Sequence, residues 1–277
     1  MSDSAGARFD RLVWIMHTLR GPEGCPWDRE QTLESLRPFV LEETCELLDA
    51  LDDGDRPALK EELGDFLFEA VFLAELCAEA GHFTIADSVQ AVADKLVRRH
   101  PHVFTADGDV LPPNTTITSS GVKEQWDDIK AGERSVAGKP QPTTLGGIPR
   151  SLPALLRAEK LGRKAAKVGF DWEQPADVLH KIDEEVREFR EAVSLTGMAS
   201  AHAEEEFGDL LFALTNLARQ IGIAPETALR KANDKFQRRF ESMEATATAE
   251  GHALKDLSFD DLDQRWNNAK KATASQS

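Results

Sequence analysis

The chain has 277 residues, 41% of them hydrophobic and 30% charged, a globular composition long enough for two domains of ordinary size. Its 33 Lys and Arg stand against 49 Asp and Glu, a net charge of −16. That balance excludes a protein that coats nucleic acid or an anionic membrane, because phosphate surfaces demand a basic partner. A small anion held by a few local cations or a metal is still compatible with it.

At the start of the chain, "MSDSAGARFD" carries no apolar signal segment, and no stretch approaches transmembrane length. Cys25, Cys45 and Cys77 form no CxxC pair, so a reduced, cytoplasmic protein is expected. Helical periodicity then dominates. "RPFVLEETCELLDAL", "ALKEELGDFLFEAVFLAELCAEAG", "IADSVQAVADKLVRRH" and "EQWDDIKAGE" read as one set of helices. "PADVLHKIDEEVREFREAV", "AHAEEEFGDLLFALTNLARQIG", "APETALRKANDKFQRRFESMEATA" and "FDDLDQRWNNAKKAT" read as a second. Breakers separate them, as in "EAGHF", "QIGIAPE" and "EGHAL". Strict alternation is nearly absent, and an all-α fold follows.

The two sets match in order and detail. "EETCE…EELGD" answers "EEVRE…EEFGD", and "DKLVRRH" answers "DKFQRRF". Lys95 precedes Trp126 by 31 residues, and Lys235 precedes Trp266 by 31. An internal duplication explains both likenesses. The expected organisation is a domain over 1–135, a Gly- and Pro-rich linker over 136–150, and a second domain over 151–277.

The acids of "KIDEEVREFREA" sit where core residues belong. Around a helix, Val178, Ile182, Phe189 and Ala192 fall within about 60° of Glu185, and so does Glu188. Each copy carries two acidic pairs at a spacing of three: Glu43 with Glu46 and Glu62 with Asp65, then Glu185 with Glu188 and Glu206 with Asp209. That spacing puts both acids of a pair on one face. A solvated acidic face is the plain alternative for any single helix. Here the acids follow the apolar stripe on four helices, so facing antiparallel helices would bring four carboxylates together in each copy. Without a cation they would repel and hold protons; a hard divalent ion such as Mg²⁺ resolves this.

Lys235 and Arg239 share a face, with Arg238 beside them; Lys95, Arg98 and Arg99 repeat the pattern. Cations in the last half of a helix commonly complement its dipole. Beside an acid cage they also suit a polyphosphate. Trp172 and Trp266 are candidate platforms for a nucleobase, although a lone Trp is more often core. No GxxxxGK[ST] loop, GxSxG elbow or HExxH appears.

This ordered set, together with "CPWD", "RRHPHVF", "IPRSLPALLRAEKLGRKAAKVGFDW" and "KANDKFQRRF", resembles the MazG family in its tandem two-domain form. The resemblance implies two all-α MazG-like bundle domains completed by dimerisation. It also implies Mg²⁺-dependent hydrolysis of NTPs and dNTPs to monophosphates and pyrophosphate, with Mn²⁺ as a substitute. Carried over by residue, Glu185, Glu188, Glu206 and Asp209 look like metal ligands, Lys181, Lys235 and Arg239 like phosphate contacts, and Trp266 like a base contact. The acids Glu43, Glu46, Glu62 and Asp65 are the matching set in the first copy. Glu184 is a candidate to position or deprotonate the attacking water, alongside Glu185 and Glu188.

His202 stands where the family often has Lys. Each copy offers about four helices, and a homodimer is expected to complete the bundles. Rival readings are a non-catalytic Mg²⁺- or nucleotide-binding regulator and a narrow enzyme for dUTP or phosphoribosyl-ATP. A di-iron bundle needs Glu-x-x-His, which the acids at 188 and 209 do not supply. The copies are expected to be unequal. One turn before its acidic pairs the second has Lys181 and His202, whereas the first has Phe39 and Ala58.

Overall fold

A computed structural model describes residues 4–112, 117–136, 143–197 and 200–274. Residues 137–142 of the expected linker lie outside the described residues. The chain divides into two compact units, Met1–Lys139 and Pro140–Ser277. Among the described residues the regular structure is helical, apart from one isolated bridge between Phe104 and Val110. No described helix is long and apolar enough to cross a membrane.

The first unit contains α1 (Ala5–Arg20), α2 (Pro26–Glu30), α3 (Arg37–Asp53), α4 (Arg56–Glu79), α5 (Ile85–Arg99) and α6 (Ser119–Val136). Two residues join α3 to α4. Gly54, at φ 70°, takes the left-handed conformation that ends α3, and the Asp55 carboxylate accepts the Ala58 N–H at 3.1 Å to start α4. So short a turn makes the two helices antiparallel neighbours. α1, α3 and α5 all pack on α4. Met16, Leu36, Val71 and Phe72 form its buried centre, with Phe9, Leu12, Val13, Phe39, Phe68 and Leu76 around them.

The second unit contains α7 (Ala154–Ala166), α8 (Pro175–Thr196), α9 (Ala201–Gln220), α10 (Pro225–Ala249), a 3₁₀ turn at Leu254–Asp256 and α11 (Phe259–Ala274). Here α9 is the hub, touching α7, α8 and α10. α1, α2 and α7 are additions to the eight helices that periodicity alone indicates. α1 and α7 do equivalent work, each lying on the hub helix of its unit. The stretch after each is clipped to the end of that hub. Arg20 donates two bonds of 2.6 Å to Glu79 and another to the Asp28 carbonyl. In the second unit the charges are exchanged: Arg219 donates to Asp171 at 3.0 and 2.5 Å, and Gln220 to the Trp172 carbonyl at 2.9 Å. Both acids are held below the usual carboxylate range, chiefly by these arginine hydrogen bonds.

The α7–α9 contact depends on Gly162. Asn216, only 2% exposed, donates to the Phe212 carbonyl at 3.2 Å and accepts from Arg219 at 3.2 Å. A Cβ at 162 would run into Asn216 Oδ1 and lie 3.0 Å from Arg219 Nε. In an open helix Gly→Ala gains about 1 kcal/mol. Overpacking here outweighs that gain, so Gly162→Ala is expected to lower stability by about 1–3 kcal/mol in urea unfolding. A rise in the midpoint would show that the contact has slack.

Candidate active site

Each helical hairpin gathers acids from both of its arms. In the second unit, oxygens of Glu185 and Glu188 on α8 and Glu206 on α9 lie within 4.8 Å of one another. In the first, the set is Glu43 on α3 with Glu62 and Asp65 on α4. Oxygens sharing one hard cation are separated by at most about twice the metal–oxygen distance, roughly 4–5 Å for Mg²⁺ or Ca²⁺. Both sets meet that limit, and their all-oxygen chemistry suits a hard ion. Two acids of the expected quartets, Asp209 and Glu46, fall outside these mutual groupings. Asp209 is exposed, and Glu46 shares a hydrogen bond with Glu62.

The two cages differ in how their charge is met. In the second, Lys181 lies one turn before Glu185, with its Nζ 2.7 Å from Glu185 Oε1 and 3.1 Å from Glu184 Oε1. Glu185 is 5% exposed, so this ammonium is the counter-charge of a buried carboxylate. The hydrogen bonds to Glu185 and then Glu184 raise the Lys181 pKa well above its ordinary value. His202 Nδ1 lies 3.6 Å from Glu206 Oε1.

The first cage has no such cation at the matching positions. Phe39 packs against the core and meets Trp27 edge-on at 5.7 Å between ring centroids. Burial, then repulsion from neighbouring acids, pushes the Glu43 and Glu62 carboxyls upward. Glu69, which periodicity did not single out, is pushed up by burial and by Glu43. The signal for it was present in the sequence: an acid seven residues after Glu62, inside an apolar stripe.

The basic helices diverge as well. Arg98 and Arg99 donate to Glu133 on α6 at 2.7 and 2.6 Å, holding that carboxyl down at about 2. The expected phosphate clamp of the first copy therefore serves as an α5–α6 clasp. The position matching Glu133 in the second copy is Thr273, which offers no carboxylate. Lys235 and Arg238 are exposed and Arg239 is half-buried on α10. Trp266 packs on Phe236 at 5.0 Å and lines an apolar hollow of about 470 Å³ with Phe240, Met243, Leu254, Phe259 and Leu262. In the first copy Trp126 instead meets His100, which aligns with Phe240, edge-on at 5.0 Å. The Trp172 side chain is half-buried, and its carbonyl belongs to the Gln220 clip.

A duplicated helical unit with an acid cage in each hairpin defines a class of all-α proteins equipped to hold a hard divalent ion. The sequence matches the MazG nucleotide pyrophosphohydrolase domain twice, over residues 31–104 and 173–243. It is 45% identical over 96% of its length to the nucleoside triphosphate pyrophosphohydrolase/pyrophosphatase MazG of Thermotoga maritima, covering 97% of that protein. It is also 45% identical over 95% of its length to the nucleoside triphosphate pyrophosphohydrolase of Escherichia coli K12, covering 97% of it. A Bacillus subtilis protein, YabN, is 45% identical over 95% of this chain, which spans 52% of YabN. The chain belongs to the MazG family.

Lys181 can be tested apart from turnover. Removing it strands a buried Glu185 charge, but Lys181 is 34% exposed, so water recovers part of the loss. Lys181→Met is expected to cost about 1–2 kcal/mol in urea unfolding with chelator present. Adding Glu185→Gln should restore most of it. Additive losses in the double variant would show that the pair is not coupled.

Proposed function

We propose that the second unit hydrolyses nucleoside triphosphates to the monophosphate and pyrophosphate with Mg²⁺, for which Mn²⁺ substitutes. One observation carries this reading: three carboxylates from α8 and α9 converge within 4.8 Å while Lys181 stands against the most buried of them. The family match and the printed activities of the two full-length relatives support it.

Glu185, Glu188 and Glu206 would hold the ion, with Asp209 completing the expected quartet. The bound ion would neutralise phosphate charge and make the attacking water more acidic. The chain's own groups do the rest. The flexible Lys181 stem lets its ammonium turn from Glu185 to a phosphate oxygen one helical turn away. Lys235, Arg238 and Arg239 supply further cations along α10. Trp266 offers a ring face at the edge of the apolar hollow for the base, with Trp172 a second candidate. Glu184 is 45% exposed beside Lys181 and takes the proton as water oxygen bonds to the α-phosphorus. The α–β anhydride bond breaks, and pyrophosphate leaves with the bonding electrons.

The first unit lacks this arrangement. Phe39 is committed to the core, Arg98 and Arg99 are clasped by Glu133, and no cation stands before Glu43. Turnover therefore belongs to the second unit. We also infer a homodimer, because hub-helix faces are left apolar and exposed. Phe207 is 48% exposed and Leu214 44%; Leu63 and Leu67 show the same on α4 at 47% and 43%.

Glu185→Gln is expected to lower pyrophosphate release with Mg²⁺ by about 100-fold or more, since it removes a proposed ligand charge while nearly keeping shape. Glu43→Gln should cost less than about threefold. Equal losses would mean two working sites, and the reverse ranking would refute the assignment. Sedimentation should show a dimer of the 30.6 kDa chain; a fully active monomer would overturn that inference.

A further inference from the structure

The first unit buries a carboxylate that the second lacks. Aligning Glu62 and Asp65 with Glu206 and Asp209 places Glu69 opposite Ala213. Glu69 is 7% exposed, and its Oε2 is fully enclosed without a hydrogen-bond partner. An enclosed, unpartnered carboxylate costs several kcal/mol unless a proton or a cation answers it. At 100° per residue, Glu62, Asp65 and Glu69 lie within about 60° of one another on α4. Glu69 thus lies on the side of α4 that carries the cage, and the charge of Glu43 on α3 adds to burial in pushing its carboxyl up.

Among the described residues no salt bridge reaches Glu43, Glu62, Asp65 or Glu69. Arg98 and Arg99 are engaged by Glu133, and Phe39 and Ala58 occupy the places of Lys181 and His202. Three carboxylates converge here with Glu69 buried on the same side of α4 and Phe39 in the place of Lys181, against three carboxylates and one ammonium in the second cage.

We propose that Glu43, Glu62, Asp65 and Glu69 form a divalent-cation site that fills without nucleotide, with Glu69 as the carboxylate that makes it tight. This deepens the reading of the acid cages as metal sites and assigns the two copies different loading. In the second cage an incoming ion must displace Lys181 from Glu185 at 2.7 Å, and a triphosphate compensates by taking the ammonium. In the first no ammonium stands in the place of Lys181, and a bare ion relieves the repulsion directly. The first cage then acts as an ion lock on the α3–α4 hairpin.

The probe is Mn²⁺ alone, titrated into the intact chain and followed by the electron paramagnetic resonance signal of the free ion. One tight site per chain is expected without nucleotide. Glu69→Gln and Glu69→Ala, the latter copying the second unit, should weaken it at least about tenfold. Glu185→Gln should leave it within about twofold. Thermal unfolding gives an independent readout. In chelator, Glu69→Gln should melt no lower than the wild type, because a repelling charge is gone; Mn²⁺ should raise its midpoint less. Equal Mn²⁺ affinity in wild type and Glu69→Gln, or loss of the tight site in Glu185→Gln, overturns the proposal. A chain that releases pyrophosphate but has no nucleotide-free Mn²⁺ site refutes this inference and leaves the catalytic reading standing. A tight Mn²⁺ site dependent on Glu69 in a chain without turnover upholds the inference and sinks the catalytic reading.

Discussion

Carboxylates brought together inside a helical hairpin must be neutralised, and much of this molecule is arranged around that requirement. The α8–α9 hairpin meets it with an ammonium on the same helix, one turn before the buried Glu185. At the matching places the α3–α4 hairpin has Phe39 and Ala58, and it carries an additional buried acid at Glu69. The same backbone plan therefore presents two cages of different charge.

The hub helices α4 and α9 make the cages possible. Each is long enough to give one end to the acids and the other to a clip that fastens the preceding segment. Arg20 with Glu79 and Arg219 with Asp171 perform that fastening with opposite polarity. Exchange of charge between the copies leaves the geometry intact, because an ion pair needs complementary partners rather than a particular order. The arginine pair after Lys95 shows the opposite outcome. A carboxylate at Glu133 takes Arg98 and Arg99 into an α5–α6 clasp, and the sequence has Thr273 at the matching place. In the first copy a candidate ligand-binding face is thereby a structural contact.

The sequence by itself determined the all-α class, the duplication and that acids lie inside apolar stripes. Helical periodicity of 3.6 is a local property, and carboxylates inside an apolar stripe are legible wherever that stripe is. Seven of the eight helices read from periodicity fall close to their observed limits, and α6, read as 124–133, runs over Ser119–Val136. α1 and α7 were not read, α1 because its apolar stripe is weak and α7 although its amphipathic stretch lies between Pro153 and Gly169. Glu69 was passed over because a lone acid among Phe and Leu looks like an isolated exception until its neighbours are known. Tertiary structure alone decided which three acids in each copy meet, which arginines are already spent, and that Phe39 belongs to the core while Lys181 holds Glu185. Those are matters of distance between chain segments, and spacing along one helix carries no information about the charge on the next.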